Sequence, residues 1–236
     1  MTTPASSLLT AAQLAELRTI DSCAMANAIE ETGGQLRNEG YMDSTVACRF
    51  ANFPPLVGYA FPLRVRTSGP PVAGRSYVDR TDWWEQLLAV PQPRVLVVED
   101  MESHPGTGAV LGEVHANIYK ALGCVGVITN GAVRDVLSLR QLGFAAFSSH
   151  VSVSHAYTHV VDVGNPIVVG GLKVHLGDLM HGDRHGVLCI PAAMAAELPS
   201  IVARQKIRER TLIDYCRSTG FSIEGLRSLL QHSQPI

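Results

Sequence analysis

Three short apolar runs constrain this chain more than any other feature. They lie at residues 94–98 (RVLVV), 125–129 (VGVIT) and 144–147 (FAAF). Each has the length of a strand, and the segments between the runs carry helical periodicity. Residues 113–122 read as a helix that stops at Gly123, and residues 133–142 as one that stops at Gly143. A glycine just past a helix readily adopts the left-handed conformation that ends it. Strand, helix, strand, helix, strand is an α/β signature, because parallel strands must be joined by a crossover. The Gly-rich stretch 105–112 (PGTGAVLG) is expected to be a loop feeding the first of these helices, and Asn130-Gly131 to turn the chain off the sheet.

Upstream, Thr10 is a candidate N-cap for a helix carrying Leu14, Leu17 and Ile20, and a second helix at 22–32 is expected to end at Gly33-Gly34. Residues 35–55 are rich in turn formers. Residues 56–65 read as a strand, 67–80 as a loop and 83–89 as a short amphipathic helix. Downstream, residues 160–163, 167–169, 172–175, 179–181 and 187–190 read as short strands, with Gly170-Gly171 as a hairpin turn. Pro191 is expected to open a broken helix at 192–216, followed by a last helical segment near 223–230. These elements form a single domain over residues 1–236. Its mixed α/β core, with a second small β layer, spans about 10–191, and a helical C-terminal segment spans about 192–236.

With 236 residues, 46% of them apolar and 17% charged, the chain suits one well-cored globular domain. A net charge of −2 without a Lys/Arg cluster gives no case for nucleic acid or a membrane surface as partner. No run of about 18 apolar residues is present, and the N-terminus lacks the basic-then-apolar order of a signal peptide. The five cysteines are odd in number and have no C-x-x-C spacing, which argues against a disulfide scaffold or zinc ribbon and suits a reducing cytoplasm. His155 and His159 are four apart, as are His181 and His185. No Glu follows His155 as H-E-x-x-H requires, and the second pair falls in an expected turn, so all four read as loop or interface histidines.

Two segments carry chemistry together. Gly112-Glu113-Val114-His115 enters a helix, and the unpaired N–H groups of a helix start bind anions with help from the dipole. Arg134 and Asp135 follow a buried strand, at the carboxyl end where ligands of open α/β sheets bind. Adjacent residues point in different directions, so the two are expected to serve separate partners. Arg suits a carboxylate, and Asp suits Mg²⁺, which takes only one or two protein carboxylates. The ordinary alternative stands beside this reading: an Asp at a helix start is favourable in itself, and the Arg can pair elsewhere.

The stretch GEVHANIYKALGCVGVITNGAVRDV (112–136) resembles the signature of the RraA-like family. That signature is a Gly-Asp/Glu at a helix start, a Gly-x-x-Gly near the helix end and a D/N-G-x-x-R-D, at the family's spacing between Gly112 and Arg134. The resemblance extends more weakly over most of the chain. It includes Gly58-Tyr59-Ala60 and GGLKVHLGDLMHGDRHGVLCIP (170–191), where Leu176 replaces the usual Pro and His185 the common Asp. The family includes the regulator of RNase E activity A. It also includes class II pyruvate aldolases, which act on 4-hydroxy-4-methyl-2-oxoglutarate and 4-carboxy-4-hydroxy-2-oxoadipate.

The resemblance implies a layered α/β/β sandwich akin to the phosphohistidine swivelling domain, with a C-terminal helical tail, assembled as homotrimers or hexamers. It implies a divalent-metal-dependent carbon–carbon lyase that cleaves or decarboxylates a small 2-oxo acid, such as oxaloacetate, to give pyruvate. The intact Gly112, Arg134 and Asp135 set favours the lyase but does not exclude the alternative, a non-enzymatic protein-binding regulator. Under the lyase reading, the backbone of Gly112, Glu113, Val114 and His115 holds the substrate carboxylate and Arg134 binds the pyruvyl portion. Asp135 is the direct ligand to Mg²⁺ or Mn²⁺, and Glu113 holds a metal-bound water that serves as base. Three departures bear on this. Glu113 is one methylene longer than the aldolases' Asp. His115 stands where Leu or Met is usual, as an acid/base, a selectivity element or a solvent-facing side chain. The stretch 144–155 (FAAFSSHVSVSH) lacks the Arg that many relatives carry after the strand, which implies a different distal end of the substrate. Glu209 is expected either to reach a neighbouring subunit's site or to pair with Arg208 or Arg210.

Overall fold

The computed structural model describes residues 8–71, 81 and 83–232, so most of the expected 67–80 loop lies outside the described residues. In chain order, helices α1 (Ala11–Leu17) and α2 (Ser22–Glu31) precede strands β1 (Ala47–Cys48) and β2 (Leu56–Arg66). Next come α3 (Trp84–Ala89), β3 (Arg94–Asp100), β4 (Ala109–Leu111), α4 (Glu113–Ala121), β5 (Cys124–Val133), α5 (Val136–Leu142) and β6 (Ala145–Val151). The short strands β7 (His159–Val163), β8 (Ile167–Val169), β9 (Leu172–Val174), β10 (Leu179–Asp183) and β11 (Gly186–Ile190) follow, then α6 (Leu198–Cys216) and α7 (Ile223–His232).

The main sheet has the order β1-β6-β5-β3-β2-β10-β11. Its centre, β6-β5-β3-β2, is parallel, while β1, β10 and β11 pair antiparallel at the flanks. Two strands join at the carboxyl ends of the parallel set: β4 pairs with the end of β5, and β7 with the end of β2. Alternation along the strands sets the layers. Tyr59, Phe61 and Leu63 of β2, with Leu96 and Val98 of β3, face a core shared with the helices. Leu56, Ala60, Val95 and Val97 face a second core closed by the β8–β9 hairpin. Helices, sheet and hairpin thus form the expected α/β/β sandwich. Gly170 and Gly171, at φ of 53° and 74°, make the hairpin turn, a geometry that side-chain-bearing residues resist.

Local signals explain the N-terminal helices. Thr10 and Gln13 cap α1 reciprocally, Asp21 accepts the Ala24 N–H at the start of α2, and Gly33 follows α2 at φ 68°.

Four expectations are corrected. The Gly-rich stretch contains β4. Residues 130–131 do not turn the chain, since β5 runs through them to Val133. Asn130 makes this possible: its side-chain amide accepts from the Asp100 N–H at 2.8 Å and donates to the Asp100 carbonyl at 3.0 Å, replacing ladder bonds at the end of β3. Thr129 Oγ1 accepts the Gly131 N–H at 2.9 Å, which satisfies the irregularity in register there. Consequently α5 starts at Val136 rather than at 133. Lastly, α6 starts at Leu198 rather than at 192, with Pro199 in the first turn, where its missing N–H has no intrahelical role.

Candidate functional site

The pairing of β4 with β5 brings two distant segments together. Leu111 is in register with Val133, and the Arg134 N–H donates to the Leu111 carbonyl at 2.9 Å. The next residues on each strand are Gly112 and Arg134-Asp135. Asp135 Oδ2 accepts the Glu113 N–H at 2.9 Å, so this carboxylate sits on the N-terminus of α4, where the dipole favours it. The same oxygen is 3.5 Å from Arg134 Nε. The expectation that Arg134 and Asp135 would not meet is therefore corrected. Side-chain alternation holds for regular backbone, whereas Asp135 is left-handed at φ 54°, ψ 42° and turns its carboxylate back across Arg134. That conformation is uncommon outside glycine, and strain of this kind concentrates at functional sites. Gly112 is required by close approach: a Cβ there would lie 2.6 Å from Asp135 Oδ2 and 2.9 Å from Arg134 Nε.

A cavity of about 450 Å³ opens beside this junction. Gly112, Glu113, Val114, His115 and Arg134 line it, so the structure brings all the expected substrate-binding residues to one wall. Asp135 does not line it; its carboxylate lies against Gly112. His115 is exposed on the first turn of α4, with its ring stacked on Tyr119 at a centroid distance of 6.0 Å. His155 and His159, read from the sequence as loop or interface residues, both line the cavity. Their Nδ1 atoms lie 2.8 Å from the Ala156 carbonyl and 2.7 Å from the Tyr157 carbonyl. A neutral ring donating there keeps Nε2 as an acceptor. Trp83 and Trp84 were missed as site residues. Both line the cavity, and among the described residues neither buried indole N–H has a hydrogen-bond partner.

The family profile described as RraA-like, Aldolase/RraA, matches residues 19–189. The chain belongs to the RraA-like family. A proposed 4-hydroxy-4-methyl-2-oxoglutarate aldolase of Halalkalibacterium halodurans is 27% identical over 128 residues, covering 53% of this chain and 59% of that protein. This chain thus spans less than two thirds of that relative's length. A solved structure of a Pseudomonas syringae pv. tomato protein of unassigned function has a TM-score of 0.71 at 22% identity, covering 97% of this chain and 99% of that one. Streptomyces coelicolor RraAS2, described as an unusual member of the RNase ES inhibitor RraA family, has a TM-score of 0.67 at 21% identity, covering 86% and 98%. These two likenesses speak to the fold.

The remaining polar groups of this RraA-like chain separate from the site. His181 is not in a turn but in β10, where it is fully buried. Its Nε2 lies 2.9 Å from the Ile20 carbonyl and its Nδ1 3.2 Å from Ser22 Oγ. Burial holds its pKa below the usual histidine value. Burial alone would raise the Asp183 carboxyl, but the N–H groups of Ser22 (2.9 Å) and His185 (2.8 Å) outweigh it and hold the pKa low. Glu209 pairs with neither neighbour: Arg208 reaches Glu31, and Arg210 bonds Asp214 at 2.9 Å. All five cysteines are free thiols, and burial pushes Cys124 and Cys189 up to about 12. Among the described residues no three His, Cys, Asp or Glu side chains converge as a metal cage, and no helix is long and apolar enough to cross a membrane.

Proposed function

We propose that this RraA-like chain is a divalent-metal-dependent carbon–carbon lyase that releases pyruvate from a 2-oxo acid. The observation that carries the reading is the convergence of Arg134, Asp135 and the α4 N-terminus around a glycine that leaves them room. The donor set suits Mg²⁺ or Mn²⁺. Asp135 Oδ2 is held by the Glu113 N–H and Arg134, while Oδ1 has no hydrogen bond among the described residues. Mg²⁺ commonly takes one or two carboxylates and keeps its waters, so the lack of a larger cage among these residues suits it. Such an ion, when bound, supplies Lewis-acid polarisation of the 2-oxo acid.

The chain's own groups do the rest. Arg134 pairs with the pyruvyl carboxylate and stabilises negative charge as the enolate develops. The N-terminus of α4, whose Glu113 N–H holds Asp135 Oδ2, turns the positive end of its dipole to the same end of the substrate. Glu113, on the cavity wall, takes the C4-hydroxyl proton directly or through a water. As that proton leaves, the C4 carbonyl forms, the C3–C4 pair passes to C3, and protonation at C3 yields pyruvate. Decarboxylation of oxaloacetate passes through the same enolate.

The test is pyruvate release from oxaloacetate with Mg²⁺ or Mn²⁺ by purified protein and by Asp135→Ala. Release above the metal-only background, lost in the variant, supports the lyase. No metal-dependent release in either protein, from oxaloacetate or from a panel of 4-hydroxy-2-oxo acids with charged and apolar distal ends, overturns it and leaves the binding-protein reading.

A further inference from the structure

The cavity has two ends of different chemistry. Its polar lining, which includes Glu113, His115, Arg134 and His155, belongs to residues that are exposed or half-exposed. Its apolar lining grades inward, from exposed Val114 and half-buried Val160 to buried Leu63, Leu96, Val98 and Trp83. The polar end is therefore the mouth and the apolar end the floor, set into the helix-side core. Protein interiors rarely keep empty space of this size, and a volume of about 450 Å³ falls in the range of small-molecule pockets. Among the described lining residues Arg134 is the one cation charged at every ordinary pH, and it belongs to the mouth.

We infer that the site takes a 2-oxo acid whose distal end is an aryl or similarly bulky apolar group, rather than a second carboxylate. This deepens the lyase reading and rests on it for the chemistry, though not for the binding. One carboxylate meets Arg134 and the α4 N-terminus at the mouth. A second, four carbons away, would leave water for a lining of Leu, Val and Trp that offers two indole N–H donors but no compensating charge among the described residues. A phenyl ring instead covers the half-buried apolar side chains of the wall, Val110, Ile118 and Val160, above the buried floor. Cleavage of 4-hydroxy-2-oxo-4-phenylbutanoate would break C3–C4, transfer the C4-hydroxyl proton to Glu113 and leave benzaldehyde. The C3 carbanion equivalent, protonated, leaves pyruvate.

Two matched pairs of ligands test this. 4-Phenyl-2-oxobutanoate and 2-oxoglutarate differ only at the distal end, and neither has a C4 hydroxyl, so neither undergoes retro-aldol cleavage. The chain's two tryptophans, Trp83 and Trp84, both line the cavity, so their emission reports its occupancy. The phenyl ligand should bind at least about tenfold more tightly, the scale of discrimination that an apolar pocket gives. Val160→Phe, which fills the cavity, should weaken it at least about tenfold. Equal or tighter binding of 2-oxoglutarate by the unaltered protein overturns the inference, whether or not the variant folds. So does phenyl binding that is unchanged in a folded variant.

Turnover separates the two proposals. With Mg²⁺ or Mn²⁺, pyruvate release from 4-hydroxy-2-oxo-4-phenylbutanoate should exceed that from 4-hydroxy-2-oxoglutarate. If the phenyl ligand binds preferentially but neither adduct is cleaved, the lyase reading fails and the ligand class stands. If the dicarboxylate is cleaved faster and binds more tightly, the lyase stands and the ligand class fails.

Discussion

Asp183 and Asp135 both stand at the carboxyl ends of strands of the main sheet, in opposite surroundings. Asp183 is 7% exposed, and its two oxygens accept the N–H groups of Ser22 and His185. Beside it, His181 is held from both ring nitrogens. Every group in that cluster has a partner, so its chemistry is spent on tying α2 to β10. Asp135 has 37% of its side chain exposed, engages one oxygen, and holds a left-handed backbone beside an Arg with 36% exposure. That cluster is strained and keeps binding capacity in reserve. Ionisable residues at strand ends are thus no guide by themselves; what separates the two is whether their hydrogen bonds are already made within the fold.

The contrast can be broken most sharply at Asp135. Asp135→Asn keeps a side chain that tolerates the left-handed backbone but removes the charge. It is expected to cut metal-dependent pyruvate release by at least about 10²-fold, while the urea midpoint moves little. A loss of stability that matched the loss of activity would make Asp135 structural, like Asp183. Gly112→Ala comes next. The added Cβ must displace the Asp135 carboxylate and Arg134, which are flexible side-chain ends. Steady-state kinetics should show a loss of about 10–100-fold, the scale seen when groups orienting a metal ligand are disturbed, with folding nearly intact.

His181→Ala should do the reverse. It leaves the Ile20 carbonyl without its imidazole partner in a buried setting, at about 1–3 kcal/mol, read by denaturant unfolding. The pyruvate-releasing activity per folded molecule should persist.

The smallest effect is in pH. His181 titrates lower in the folded chain than in the unfolded one, so the folded state resists taking the proton. Its contribution is complete above the unfolded value of about 6.5 and is lost as pH falls below it, at no more than about 1.4 kcal/mol per pH unit. Asp183, also held low, adds a second loss once pH falls below its unfolded value of about 3.9. Urea midpoints at pH 7 and pH 5 should differ in the unaltered chain and converge in His181→Asn.

The layered fold was legible because its signals are local: the largely apolar strand-length stretches at 56–65 and 94–98, the Thr10 cap, and glycines after α2, α4 and α5. The failures were non-local. Asn130-Gly131 has the composition of a turn, and only the facing Asp100 backbone and the pairing of β4 with the end of β5 keep it extended. Asp135 has no sequence mark of a left-handed backbone, so its contact with Arg134 could not be read. The cavity was equally hidden. Trp83, Leu96, Tyr119 and His159 come from four elements or their edges, and no spacing relates them.

The site's two halves are joined by the ladder from Leu111 to Val133 and the Arg134 N–H bond, not by contiguity along the chain. A ladder cannot be stretched by degrees; it slips by a whole residue, about 3.3 Å, or it holds. Damage to β4 should therefore silence some molecules completely and leave the others at full speed. Such variants would lose active fraction on titration of their sites, while the turnover number of the survivors stayed constant.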